Sequence, residues 1–176
     1  MELFQPATHL DHMIRQTRAH HVSLSLMADN KAHMMLTISA LLVPLSIRFL
    51  YDPRTHLAAM TMVAFSILTV LLAAYAAMPK MPIPKNNHDV DDMTAPSFNI
   101  LFFGTFARMT FAEYEQAMGQ VMKDHNTAYA VQLKEIYEIG RYLAQKKYRY
   151  VRYSFYSFLA GVISSSFIYI LSEELR

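Results

Sequence analysis

Apolar residues along this chain gather in three stretches that stay free of charge long enough to approach the thickness of a bilayer. Residues 57–78 (LAAMTMVAFSILTVLLAAYAAM) hold no charged residue, and as a helix they extend about 33 Å, enough to cross a hydrocarbon core of about 30 Å. Residues 153–172 (YSFYSFLAGVISSSFIYILS) are equally uncharged and reach about 30 Å. Residues 32–47 are shorter, and match the bilayer only when extended past Arg48 to Tyr51 or back toward Asp29. A fourth uncharged run, residues 93–107, contains Pro96, Ser97 and Asn99; it is too short to cross and is expected to be core or interfacial structure.

Between the stretches the rhythm changes. Leu10, Ile14, Thr17, His21, Leu24 and Ala28 recur at steps of four and three, as do Tyr129, Leu133, Ile136, Gly140, Leu143 and Lys147; this is the 3.5-residue seam of helices packed lengthwise. Each seam leads into a span without an intervening break. Thr110 with Glu113 three residues later is a capping-box pattern, which predicts a helix from Phe111 to about Met122. Gly140 lies in a seam, where it costs about 1 kcal/mol against Ala, so it is expected to permit a close helix crossing or the approach of a ligand. The segment PKMPIPKNNHDVDD after the second span reads as an irregular linker.

The pattern predicts an all-α membrane protein with about three transmembrane helices, at residues 32–51, 57–78 and 153–172. Its helical cytoplasmic domain is expected to form from the N-terminal helix, residues 1–31, and the insert of residues 79–152. Composition agrees. Charged residues are 17% and apolar residues 53% of the 176, against about 25% charged in a soluble domain. The absence of Cys removes disulfides, thiolate catalysis and Cys-based metal sites. A net charge of +2 is too weak an excess to indicate nucleic acid. Glu2, Asp11, Arg15, Arg18, Asp29 and Lys31 precede any apolar run, which argues against a cleavable signal peptide.

The placement of the cations gives orientation. Three Lys/Arg precede the first span and ten lie between the second and third, whereas Arg48, Arg54 and Arg176 fall on the other side. The N-terminus and the insert are therefore expected in the cytoplasm, with a tight external turn near Asp52 and Pro53. Tyr148, Tyr150, Tyr153 and Tyr156 interleave with Lys146, Lys147, Arg149 and Arg152, as interfacial anchors against lipid headgroups do.

No arrangement suggests catalysis. His9, His12, His20 and His21 lack the spacing of a zinc helix and read as solvated. No nucleophile elbow exists, and Asp89, Asp91 and Asp92 sit in the linker as solvating charge. Within the spans, His33 and Arg48 lie near the edges, where they can snorkel, so no ion relay is indicated. Ala160, Gly161, Ser164 and Ser165, like Ala73 and Ala77, are small residues at four-residue spacing; they permit close packing within the chain or self-association.

Several phrases together carry a resemblance: Ala28 to Ala32 (ADNKA), the stretch NILFFGTF beginning at Asn99, Glu113 with Tyr114, and IYEIG beginning at Ile136, followed by Leu143 and by Lys146, Lys147 and Tyr148. In their order around the spans, from about residue 20 to residue 172, they resemble the Pycsar transmembrane effector family. That resemblance implies a non-enzymatic bacterial antiphage effector in the inner membrane, without a cofactor. Its signal ligand would be a cyclic pyrimidine mononucleotide (cCMP or cUMP) made by a partner cyclase, and its action an impairment of the membrane that stops growth or kills the infected cell.

Such a ligand presents one negative charge, a ribose hydroxyl and a flat base, so its pocket needs a cation, hydrogen-bonding groups and an aromatic plane. Lys31 or Lys147 can meet the phosphate, Asp29 the ribose and Asn99 a base edge, with Phe103, Tyr114 or Tyr137 stacking and Gly104 beside Phe103 in the same phrase. The same residues have ordinary alternatives: Asp29 with Lys31 as an interfacial ion pair, Asn99 as a helix cap, the aromatics as core. Moving a two-state equilibrium from 1:99 to 99:1 takes about 5.5 kcal/mol, whereas about twenty ligand atoms at roughly 0.3 kcal/mol each supply about 6. The expectation is therefore a homo-oligomer in which several ligands act together. A membrane scaffold or accessory subunit that senses nothing and docks a partner through its helices is the competing class.

Overall fold

The computed structural model describes residues 8–78 and 99–174, and helices account for nearly all of them, with no strand among the described residues. Helix α1 (Thr8–Ile47) passes into a 3-10 turn (Arg48–Tyr51); α2 (His56–Ala77) follows. After residue 99 come the single turn α3 (Phe103–Phe106), α4 (Phe111–Lys123), α5 (His125–Tyr142), a π-helical turn (Leu143–Lys147) and α6 (Tyr148–Glu174). The expected linker with its three aspartates, and residues 93–98 of the fourth uncharged run, lie outside the described residues.

Local chemistry sets the boundaries. Asp52 closes the turn after the first span by accepting backbone N–H bonds from Thr55 and His56. The Thr55 hydroxyl donates to the Phe49 carbonyl at 2.7 Å and His56 Nδ1 bonds Leu50 O at 2.6 Å, which satisfies carbonyls left open where the helix stops. Thr110 and Glu113 form the reciprocal capping box expected of them. Asp124 ends α4 and accepts both the backbone N–H and the hydroxyl of Thr127 at 3.0 Å, capping α5. These bonds hold the carboxyls of Glu113 and Asp124 below their ordinary values.

Two compact units divide the chain. The first comprises α1 through Val22 with α3, α4 and α5 as far as Arg141. Here Tyr129 donates to Asp11 at 2.6 Å and Arg18 to Glu135 at 2.7 Å, at sequence separations of 118 and 117. The near-constant separation means that α1 and α5 run parallel in one register; Tyr129 belongs to the predicted seam, while Asp11, Arg18 and Glu135 each lie one residue beside it. Gly140 belongs to that seam: a Cβ there would sit 3.1 Å from Cε1 of His21, so the glycine admits the imidazole ring. His21 is accordingly half-buried against α5, whereas His9, His12 and His20 are exposed. Ile100 and Ala117 form a small core with Met109, Tyr114 and Val121 around it.

The second unit comprises α1 from Ser23, α2, the π turn and α6. Ala28, Ala32, Ala76 and Val151 are its buried cluster, with Tyr148, Tyr150 and Phe155 packed against them. The rings of Tyr75 and Tyr150 meet edge to face at 4.3 Å, and Ser157 donates to the Phe65 carbonyl at 3.3 Å; α2 and α6 are thus antiparallel. Gly161 is buried where a Cβ would meet Phe65 at 2.5 Å, so this small residue serves packing inside the chain. Large apolar side chains such as Leu41, Leu45, Leu71 and Ile163 point outward. With three helices long and apolar enough to cross a bilayer, such outward faces belong against lipid, and the chain is a multi-pass membrane protein.

Candidate functional site

The features a small anionic ligand needs come together at the head of α6. Residues 143–147 depart from α-helical spacing in a π turn, a distortion common where a side chain must be re-aimed for function. Lys147 ends that turn. Its Nζ donates to Asp29 Oδ2 at 2.6 Å and to Ser25 Oγ at 2.7 Å, with side chains 10% and 31% exposed for Lys147 and Asp29. An ammonium so enclosed is held by charge-assisted bonds, and removing either partner would leave the other charge poorly hydrated.

Tyrosines surround the pair. Tyr148 donates its hydroxyl to the Leu24 carbonyl at 3.0 Å, fixing α6 against α1. Burial raises the Tyr142 hydroxyl above its ordinary value, and the nearby Asp29 carboxylate adds to the effect. One cation, one carboxylate, one serine hydroxyl and several aromatic rings therefore occupy a single cluster within the second unit.

Of the residues singled out from sequence, Asp29 and Lys147 are brought together here. Lys31 is exposed on α1; two positions from Asp29, it points to another side of the helix, since i and i+2 do not face each other. Asp29 therefore pairs with Lys147 across 118 residues rather than with Lys31. Asn99, Phe103, Gly104, Tyr114 and Tyr137 belong to the first unit. Asn99 is buried, donates to Glu138 Oε2 at 2.7 Å and accepts from the Leu101 N–H at 3.1 Å, so it closes a turn. Gly104 lies under the Phe102 ring, which a Cβ would overlap. Tyr114 packs on the Ile100–Ala117 core and against Phe106 at 5.3 Å, whereas Phe103 and Tyr137 are exposed.

Sequence reading missed Ser25 and Tyr142. Ser25 lies one turn before Asp29 and so shares its helix face, a signal that was available; the π turn that aims Lys147 has no counterpart in the residue pattern. A family model, the Pycsar effector protein domain, matches residues 12–172. No curated protein and no solved structure matches the chain.

Proposed function

The chain belongs to the Pycsar effector family, a family of antiphage effectors, and from that premise we propose that it senses a cyclic pyrimidine mononucleotide, cCMP or cUMP, and answers by impairing the inner membrane. It does so as a non-enzymatic effector, with its N-terminus and residues 79–152 on the cytoplasmic side, where thirteen of the sixteen Lys/Arg lie. A partner cyclase supplies the signal. The observation that carries this reading is the family match across residues 12–172, which takes in the apolar stretches of all three helices.

The Lys147 cluster is the part of the chain whose chemistry fits such a ligand. A cyclic nucleotide phosphate competes with Asp29 for the Lys147 ammonium, and the ribose hydroxyl then gives the displaced carboxylate a donor, so that neither charge is left without a partner. Tyr142 and its neighbours offer the aromatic plane. One small ligand yields about 6 kcal/mol in total, close to the amount a complete switch takes, which favours several copies acting in concert.

Thermal unfolding of the detergent-solubilised protein against a panel of cyclic mono- and dinucleotides tests the reading, since a ligand that binds the folded state raises the melting temperature. The expected result is stabilisation selective for cCMP or cUMP, weakened at least about tenfold in apparent affinity by Lys147→Gln. A flat response to every nucleotide overturns it in favour of a scaffold.

A further inference from the structure

The interior of the second unit holds hydroxyls among small apolar residues. Among the described residues its buried polar side chains are Ser39 and Ser46 on α1, Ser66 and Thr69 on α2, and Ser154 and Ser157 on α6, all hydroxyls. Most large apolar residues of the same helices face outward, Met35 being buried. Serine and threonine in apolar helices ordinarily bond a carbonyl of the preceding turn. Thr69 does so to Phe65 and Ser154 to Val151, both at 2.7 Å, while Ser157 reaches the Phe65 carbonyl of α2. Ser39 and Ser66 differ: they are 0% and 2% exposed, and neither Oγ has a hydrogen-bond partner among the described residues.

A buried hydroxyl without a partner is costly, and polar interior sites of this kind take up ordered water. Both orphaned hydroxyls lie on spans whose buried positions are mainly Ala, Ser and Thr, with Met35 the large exception. We infer that Ser39 and Ser66 mark an internal hydration site among the three helices, one that accepts water and small monovalent cations, and that this site is where ions cross when the protein impairs the membrane. Neutral oxygen ligands can replace part of the hydration shell of a monovalent cation. The second clause rests on the function proposed above; the first does not.

The chain contains no cysteine, so one introduced thiol is its only thiol. Single variants Ser39→Cys and Ser66→Cys, with Leu41→Cys and Leu71→Cys as outward-facing controls, are reconstituted as full-length protein in lipid vesicles and exposed to Ag+, a bare cation close to K+ in size. Thiol remaining after detergent release is counted with a maleimide. Because cations avoid hydrocarbon, the inward cysteines should be consumed at least about tenfold faster than the controls; equal or slower consumption overturns the hydration site. In parallel, K+ release from vesicles on adding cCMP or cUMP is compared between the parent and Ser39→Val/Ser66→Val, with melting-temperature shifts tracking ligand binding. Release lost with binding retained supports the route, and release unchanged in the double variant overturns it. A parent that neither binds nor releases refutes the sensing function and the ion route together, while the Ag+ comparison still decides whether the interior holds water.

Discussion

The carboxylate of Glu135 is buried and accepts a bond of 2.7 Å from the guanidinium of Arg18, yet its carboxyl is held above its ordinary value. Burial outweighs the pairing, because Arg18 is itself half exposed and its charge is partly screened by water. Raised in the folded state, this carboxyl contributes most to stability when protonated, below the unfolded value of 4.5, and that contribution is lost as pH rises through the folded value.

Arg18→Met is therefore expected to destabilise the protein by about 1–3 kcal/mol at neutral pH, the cost of a buried carboxylate deprived of a half-solvated partner. The deficit should shrink on acidification through the raised carboxyl range, and Glu135→Gln should remove that pH dependence. Melting curves of both variants at pH 7 and pH 5 check the sign.

Loss of the α4 cap makes a second case. Thr110→Ala removes the side-chain acceptor of the Glu113 N–H and is expected to cost about 1 kcal/mol. Glu113 has the opposite linkage to Glu135: its carboxyl is lowered chiefly by the bond from the Thr110 backbone N–H, so its contribution is present above 4.5 and lost as pH falls. Amide hydrogen-exchange protection over residues 111–116, taken relative to the intrinsic rate at each pH, should fall in Thr110→Ala and, in the parent, below that pH.

At Gly140 the helix gains about 1 kcal/mol from alanine, while the added Cβ meets His21 at 3.1 Å. The imidazole must give by a few tenths of an ångström, so Gly140→Ala should lie near neutral. Gly140→Leu cannot be accommodated that way and should cost about 1–3 kcal/mol. Adding His21→Ala should recover much of the loss, a coupling that a double-mutant cycle of melting temperatures reads directly.

Gly161 separates two uses of small residues in a membrane helix. A Cβ there would meet Phe65 Cβ at 2.5 Å, so Gly161→Ala should push α6 from α2 and lower stability by about 1–3 kcal/mol. Phe65→Ala should relieve that effect. Chemical crosslinking between copies should be unchanged by Gly161→Ala; a loss of crosslinking at undiminished stability would assign the glycine to an interface between chains.

The sequence by itself determined whatever depends on neighbours along the chain: three charge-free stretches long enough for helices that span, the Thr110–Glu113 box, and the 3.5-residue seams on the helices of residues 8–47 and 125–142. Helical periodicity and capping act within a few residues, so they can be read from spacing. Only the tertiary structure decided that Asp29 faces Lys147 rather than Lys31, that a π turn aims this lysine, that Gly161 receives Phe65, and that Ser39 and Ser66 are left without partners. Each of these depends on how one helix is rotated about its axis against another. Small side chains leave that rotation weakly encoded in hydrophobicity, so the packed helices fix it.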